Sequence, residues 1–269
     1  MPNFICTTCG TQFAETAQPP GVCPICDEPR QYVKKTGQQW TTPERLRSTN
    51  RNSIKFKEPG LIGIGIEPQL GIGQRALFLR TANANILWDC LPLLDVAVVE
   101  AIQAMGGISA IAISHPHYYS SMVDWSRAFG DVPIYLHAAD RQWVMRPDKS
   151  IVFWEGETYA LAGGLTLIRC GGHFEGGTVL HWDGGADGKG ALLSGDIIQV
   201  VPDRQHVSFM YSYPNHIPLS APEIEQIVRV VKPFQYDRIY GAFWDMVIEQ
   251  DGMAVVKRSA ERYLRAIGQ

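Results

Sequence analysis

From residue 60 onward the apolar positions change period every few residues. Leu61–Glu67 alternates as a strand does, and Ala76–Thr81 and Asn85–Asp89 are two more short apolar runs, the first preceded by the glycine-rich turn Gln69–Gln74. Pro92–Met105 carries apolar side chains at helical spacing and stops at Gly106-Gly107. Ile108–Ile113 predicts a buried strand, residues 119–129 a helix, and Pro133–His137 a further strand. Strands punctuated by Gly and Trp are expected from Ile151 to Ser194, and helices over 221–232 and about 251–267 flank a strand at Arg238–Tyr240. Strands in both halves with helices between them predict an α/β (α+β) domain of two packed sheets with helices outside.

The chain up to residue 58 reads differently. Lys34–Gln39 and Thr41–Arg45 are polar and show no strand alternation. Thr42-Pro43-Glu44 has the form of a helix start, with Thr42 as cap and Pro43 at the first position. The expected organisation is a small module over 1–35, a linker over 36–58 lying on the next domain, and the main domain over 59–269.

Six cysteines sharpen this picture, because four fall into two C-x-x-C doublets, Cys6/Cys9 and Cys23/Cys26, separated by the stretch Gly10–Val22. Two thiolates spaced in this way can face one cation across a tight turn, and two such turns supply the four sulfurs of a tetrahedral structural site. The alternatives are disulfides or free core thiols. Loop-rich sequence with little other core favours metal, since ligation can hold a segment too short to fold on apolar burial. The doublets resemble a zinc ribbon, or a rubredoxin-like knuckle pair with a shortened gap; zinc is expected, and iron also suits four thiolates.

Composition narrows the class. Of 269 residues, 45% are apolar and 19% charged, which suits a globular chain with a large core and argues against disorder. No apolar run approaches the roughly 20 residues of a membrane span. The start Met1–Cys6 lacks a basic, apolar leader pattern, and a cytoplasmic chain is expected. Formal net charge is −3. The stretch 1–58 holds eight basic and five acidic side chains, an excess too small to argue for nucleic-acid binding. The expected partner is a small-molecule substrate, and neither nucleic acid nor membrane is expected; oligomeric state is left open.

The remaining chemistry lies at strand ends. Ile111–Ser114 runs into His115-Pro116-His117, and side chains at i and i+2 of an extended chain point to one side. Leu165–Cys170 ends in Gly171-Gly172-His173, where two glycines permit a sharp turn. Ala191–Ser194 ends in Gly195-Asp196. Three imidazoles and a carboxylate suit a mid-first-row metal.

In this order, a strand ending in Asp89, then a helix, a strand, His-x-His, Gly-His and Ser-Gly-Asp, the chain resembles the metallo-β-lactamase superfamily over about residues 60–245. The resemblance implies an αββα sandwich with a metal site at one edge of the sheets. It makes His115, His117 and His173 ligands, Asp196 the bridging carboxylate and Asp89 a structural aspartate. It also implies hydrolysis of an ester, thioester, lactone, lactam or phosphodiester. Three departures follow from the same matching. Tyr119 and Ser120 stand where the family motif has Asp and His, and Tyr240–Trp244 holds no imidazole where a last histidine is expected. All three remove ligands of a second metal, so a mononuclear site is expected, with zinc in it or alternatively iron.

The expected function is a zinc-dependent hydrolase using a metal-bound hydroxide, with Asp196 as ligand or water-orienting group and Tyr119 as a donor to the developing oxyanion. One alternative is a mononuclear non-haem iron oxygenase of the persulfide dioxygenase type, with His115, His173 and Asp196 as a facial triad. Another is a non-catalytic member whose metal is structural. His137 and His181 read as packing residues and His206 and His216 as loop residues. Asp124 reads as a helix cap or ion-pair partner, and Cys90 and Cys170 as buried thiols.

Overall fold

The computed structural model of the chain describes residues 1–269, which divide into two compact units, 1–136 with 141–153 and 137–140 with 154–269. In the first unit, β1 (Ile5–Cys6) pairs antiparallel with β2 (Trp40–Thr41), and α1 (Pro43–Thr49) follows. Thr42 caps α1 through its side chain, which accepts from the Arg45 N–H at 3.4 Å, and Pro43 opens the helix as its sequence predicts.

A seven-stranded sheet comes next: β3 (Arg51–Glu58), β4 (Leu61–Glu67), β5 (Ala76–Arg80), β6 (Asn85–Trp88), β7 (Ala110–Ala112), β8 (Ile134–His137) and β9 (Ile151–Trp154), adjacent in that order. β3 to β6 form an antiparallel meander. The chain then switches to parallel pairing from β6 through β8 by way of α2 (Val96–Ala104) and α3 (Met122–Ala128). Parallel neighbours need such crossovers, because a tight hairpin can only return the chain antiparallel. The helix expected from Pro92 starts later, at Val96. The Asp95 carboxylate accepts the Val98 N–H (2.8 Å) and so sets the first turn.

Besides α1, two elements inside the segment that reads as linker are ordered. β2 completes the ribbon at residues 40–41, and β3 is an eight-residue edge strand. β3 buries no apolar face: Ile54 and Phe56, two apart on one side of the strand, are both exposed, Phe56 by 70%. It is a strand because its backbone pairs along β4, from Arg51 opposite Glu67 to Glu58 opposite Leu61.

In the second unit, β10 (Thr158–Leu161), β11 (Leu165–Arg169), β12 (Thr178–Trp182) and β13 (Ala191–Gly195) are antiparallel, with the short α4 (Gly185–Gly188) before β13. Two small hairpins follow, β14 (Gln199–Val200) with β15 (Val207–Ser208), and β16 (Met210–Ser212) with β17 (Ile217–Pro218). α5 (Ala221–Val231) then crosses to β18 (Arg238–Gly241), which lies parallel to β13, and β19 (Val247–Ile248) and α6 (Gly252–Ala266) end the chain. Ile224, Ile227 and Val231 of α5, spaced for one helix face, share a core with Val255, Val256 and Ala260 of α6 and with Ile168, Val179 and Leu192 of the sheet. No helix is long and apolar enough to cross a membrane.

Candidate metal centres

The two cysteine doublets meet. The sulfurs of Cys6, Cys9, Cys23 and Cys26 all lie within 4.8 Å of one another and all four residues are buried. Cys6 Sγ is 3.7 Å from Cys26 Sγ and Cys9 Sγ is 3.8 Å from Cys23 Sγ, far beyond a disulfide bond. A tetrahedron built on metal–sulfur bonds of about 2.3 Å has edges of about 3.8 Å, so these spacings fit four thiolates around one ion. Phe13 and Ile25 complete the small core, and Trp40 meets Phe13 edge-on at 4.9 Å. Gln38 Nε2 donates to Cys6 Sγ (3.2 Å), and Gln38 Oε1 accepts the Cys23 N–H (3.2 Å). Nothing in the sequence pattern marks Gln38 for this role.

The second group is His115, His117, His173 and Asp196, all buried, with ligand atoms within 4.8 Å of one another. Each is delivered by a strand end. β7 leads to Ser114 and His115, whose backbone is fully extended (φ −171°, ψ 173°), and a single 3-10 turn, Pro116–Tyr118, carries His117. The histidine pair is therefore brought together by a tight turn and not by an extended run. Pro116, with its fixed φ, opens that turn. The two imidazole centroids are 5.1 Å apart and Tyr118 meets His115 edge-on at 4.7 Å.

Behind His115 stands a relay. Asp89 Oδ1 accepts both the Ser114 N–H (2.8 Å) and the Ser114 hydroxyl (2.7 Å). With its one proton spent, Ser114 Oγ accepts from His115 Nδ1 at 2.9 Å. Nε2 of His115 is then the nitrogen with a lone pair for a cation, the arrangement by which an outer carboxylate orients a ligating imidazole. Burial pushes the Asp89 carboxyl up to about 7, against the two Ser114 hydrogen bonds that lower it. The structural role that the resemblance implies for Asp89 thus runs through Ser114, whose one signal in the sequence is that it directly precedes the first histidine.

His173 follows β11 through Gly171 and Gly172, both at positive φ (74° and 77°). A Cβ on Gly172 would also come within 2.9 Å of Leu219 Cδ1. Backbone bonds close the loop: Cys170 and Gly171 N–H to Gly177 O, and Gly177 N–H to Phe174 O. Asp140 Oδ1 accepts the Gly176 N–H (2.9 Å). His173 Nδ1 donates to the Tyr211 carbonyl (2.7 Å), which leaves Nε2 as its ligand atom. Asp196 follows β13 at Gly195 (φ 53°), and its backbone carbonyl accepts the Tyr213 hydroxyl at 2.8 Å. Burial, with the Asp196 charge second, pushes the Tyr213 phenol up, so it acts as a neutral donor.

The other candidates have separate duties. Tyr119 is buried just past the turn bearing His117. Ser120, also buried, adopts φ 42°. Asp124 is paired with Arg146 at 2.7 Å. His137 donates from Nε2 to Gly156 O and accepts at Nδ1 from the Ala139 N–H, and burial lowers its pKa. His181 bonds Gln235 O, and His206 pairs with Asp203 in a surface loop. Burial pushes the Cys90 and Cys170 thiols up, so both are inert at neutral pH.

The donor sets fit metals in both places: four thiolates for a closed tetrahedral ion, and three imidazoles with a carboxylate for a mid-first-row cation.

No family model matches the chain. It is similar to YmaE, an uncharacterized protein of Bacillus subtilis strain 168, with 50% identity over 269 residues, 99% of this chain and 97% of the relative. Among solved structures it is similar to VMB-1 (14% identity, TM-score 0.61, 81% of this chain and 99% of that one) and to the metallo-β-lactamase DIM-1 (13%, 0.61, 80% and 98%). It is also similar to the metallo-β-lactamase FIM-1 from Pseudomonas aeruginosa in its mono-zinc form (15%, 0.57, 78% and 95%). At such identities the likeness is one of fold, and it is the α/β metallo-β-lactamase fold that the order of motifs implied.

Proposed function

The chain belongs to one family with YmaE and has the metallo-β-lactamase fold, and from that premise we propose that it is a mononuclear zinc-dependent hydrolase of an ester, thioester, lactone or phosphodiester. The observation that carries the reading is the buried gathering of His115, His117, His173 and Asp196. Zinc held there supplies a Lewis acid and a water acidic enough to react near neutral pH. His115 and His173 are held in the ligating tautomer by Ser114 and the Tyr211 carbonyl, so the donors are set before any ion arrives. Asp196 adds the negative charge that completes the donor set or orients the attacking water. Tyr119 is the proposed donor to the developing oxyanion. Tyr119, Ser120 and the imidazole-free stretch 240–244 support one ion in preference to two.

A facial-triad iron oxygenase would use His115, His173 and Asp196; the third imidazole of His117 in the same cluster counts against it. Anomalous scattering at the zinc and iron edges separates these readings. A metal that is only structural would leave the chain inactive on every substrate.

The functional test is a panel of ester, thioester, lactone and phosphodiester substrates with wild type and His117→Ala. The expected result is hydrolysis of one class, lost together with one equivalent of metal in the variant while the fold persists. Hydrolysis unchanged in His117→Ala would overturn the proposal.

A further inference from the structure

The four-cysteine ribbon and the turn bearing His117 are tied together by one residue. Gln12, shortly past Cys9, donates its backbone N–H to the Ser120 carbonyl (3.1 Å). Its side-chain Nε2 donates to Asp124 Oδ2 (2.7 Å), and its Oε1 accepts from Arg146 Nη1. Arg146 Nη1 also donates to Asp124 Oδ1 (2.7 Å), closing a triangle of amide, carboxylate and guanidinium in which Gln12 and Arg146 are buried. Buried polar groups of this kind are costly unless each is bonded, so the triangle holds its members in one arrangement.

Further contacts converge on the same place. Gln74 Nε2 lies 3.4 Å from Ser120 Oγ, and Ser121 Oγ donates to Pro92 O (3.0 Å). A Cβ on Gly10 of the ribbon would come within 3.0 Å of the Pro92 ring. Trp143 and Met145 pack on the cysteine core, and Met145 O accepts the Ala14 N–H.

The consequence concerns His117. It rides on a single 3-10 turn, an element that has little strength of its own. Tyr118 N–H bonds His115 O and Tyr119 N–H bonds Pro116 O, and the Ser120 carbonyl, just past the turn, is held by Gln12. Ser120 and Tyr119 occupy the positions where the metallo-β-lactamase motif places second-metal ligands. In this chain Gln12 of the ribbon reaches one of them, the Ser120 carbonyl.

We propose that Gln12 is a positioning residue through which the ribbon fixes the His117 turn, so that metal affinity at the histidine site depends on the ribbon's docking. The proposal rests on reading the His115–His117–His173–Asp196 cluster as a metal site.

The test uses the full-length chain with the ribbon metal left in place and cobalt(II) titrated into the histidine site against a competing chelator. Gln12→Ala keeps the backbone bond to Ser120 and loses the side-chain bonds to Asp124 and Arg146; it is expected to keep its ribbon metal and to weaken cobalt binding by up to about 10-fold, since Gln12 touches no ligating histidine directly. It should also shift the visible cobalt bands and speed amide exchange at residues 118–121. Gln12→Glu sets two carboxylates against each other and should weaken binding as much or more. Gln12→Glu with Asp124→Asn restores a donor opposite an acceptor and should return affinity and bands toward wild type. Wild-type affinity, bands and exchange in Gln12→Ala would overturn the proposal alone, as would a double variant no better than Gln12→Glu. A wild-type chain that takes up no metal at the histidines would overturn the metal-site reading and the proposal with it.

Discussion

The chain holds two clusters of metal-binding side chains built on opposite plans. The cysteine cluster is local: its four donors come from two turns lying between Cys6 and Cys26 and are chemically identical, and the core around them is small, Phe13 and Ile25 with Val33, Trp40, Trp143 and Met145 packed against it. The histidine cluster reaches along the chain from His115 to Asp196, mixes three nitrogens with an oxygen, and draws its positions from the ends of β7, β11 and β13. Ligand placement in the first is itself the fold of the ribbon. In the second the sheets exist for other reasons, and the ligands are appended where strands stop. A site of the first kind contributes folding energy. A site of the second kind sits on a scaffold that can survive without the ion, which leaves the ion available for chemistry.

That contrast breaks most visibly at the ribbon. Cys9→Ser should release about one equivalent of metal per chain and make residues 1–41 exchange freely with solvent, while the strands of both large sheets stay protected; metal analysis with hydrogen exchange reads both effects. Full metal content in the variant, or loss of the whole fold, would erase the distinction between the two plans. A smaller effect sharpens the other side. Ser114→Ala removes the hydroxyl between Asp89 and His115 and should weaken the histidine-site metal by about 10- to 100-fold without changing the number of ions bound at saturation. Competition against a chelator of known strength measures it, and an unchanged affinity would show that the relay does not orient His115.

The same contrast explains what is legible in the sequence. Spacing exposes the ribbon because C-x-x-C doublets are short-range signals, and the strands before His115, His173 and Asp196 are readable because their cores are short apolar runs, interrupted only by Thr166 in the second. The edge strand Arg51–Glu58 is only weakly marked: the alternation is confined to Ile54-Lys55-Phe56-Lys57, both apolar side chains face solvent, and its order comes from backbone pairing. The 3-10 turn under His117 is hidden because His-Pro-His reads as extended chain, a conformation that suits the residue before a proline better than the proline itself. Ser114, Gln38 and Gln12 are single polar residues whose importance lies in contacts with distant partners, and no periodicity marks them. Asp124 is readable as an ion-pair residue but its partners, Arg146 and Gln12, are not, since they lie 22 and 112 positions away in the chain.

We propose one ion in each cluster. The most direct measurement is metal content per chain on protein purified without added metal, repeated after saturation with zinc and dialysis, for wild type and Cys9→Ser. Saturation is expected at two equivalents in wild type and at one, more weakly held, in the variant. Three equivalents in wild type would contradict it, by showing that Tyr119, Ser120 and the stretch 240–244 do not remove the second ion of the histidine site, and one equivalent would show that the histidine cluster binds none.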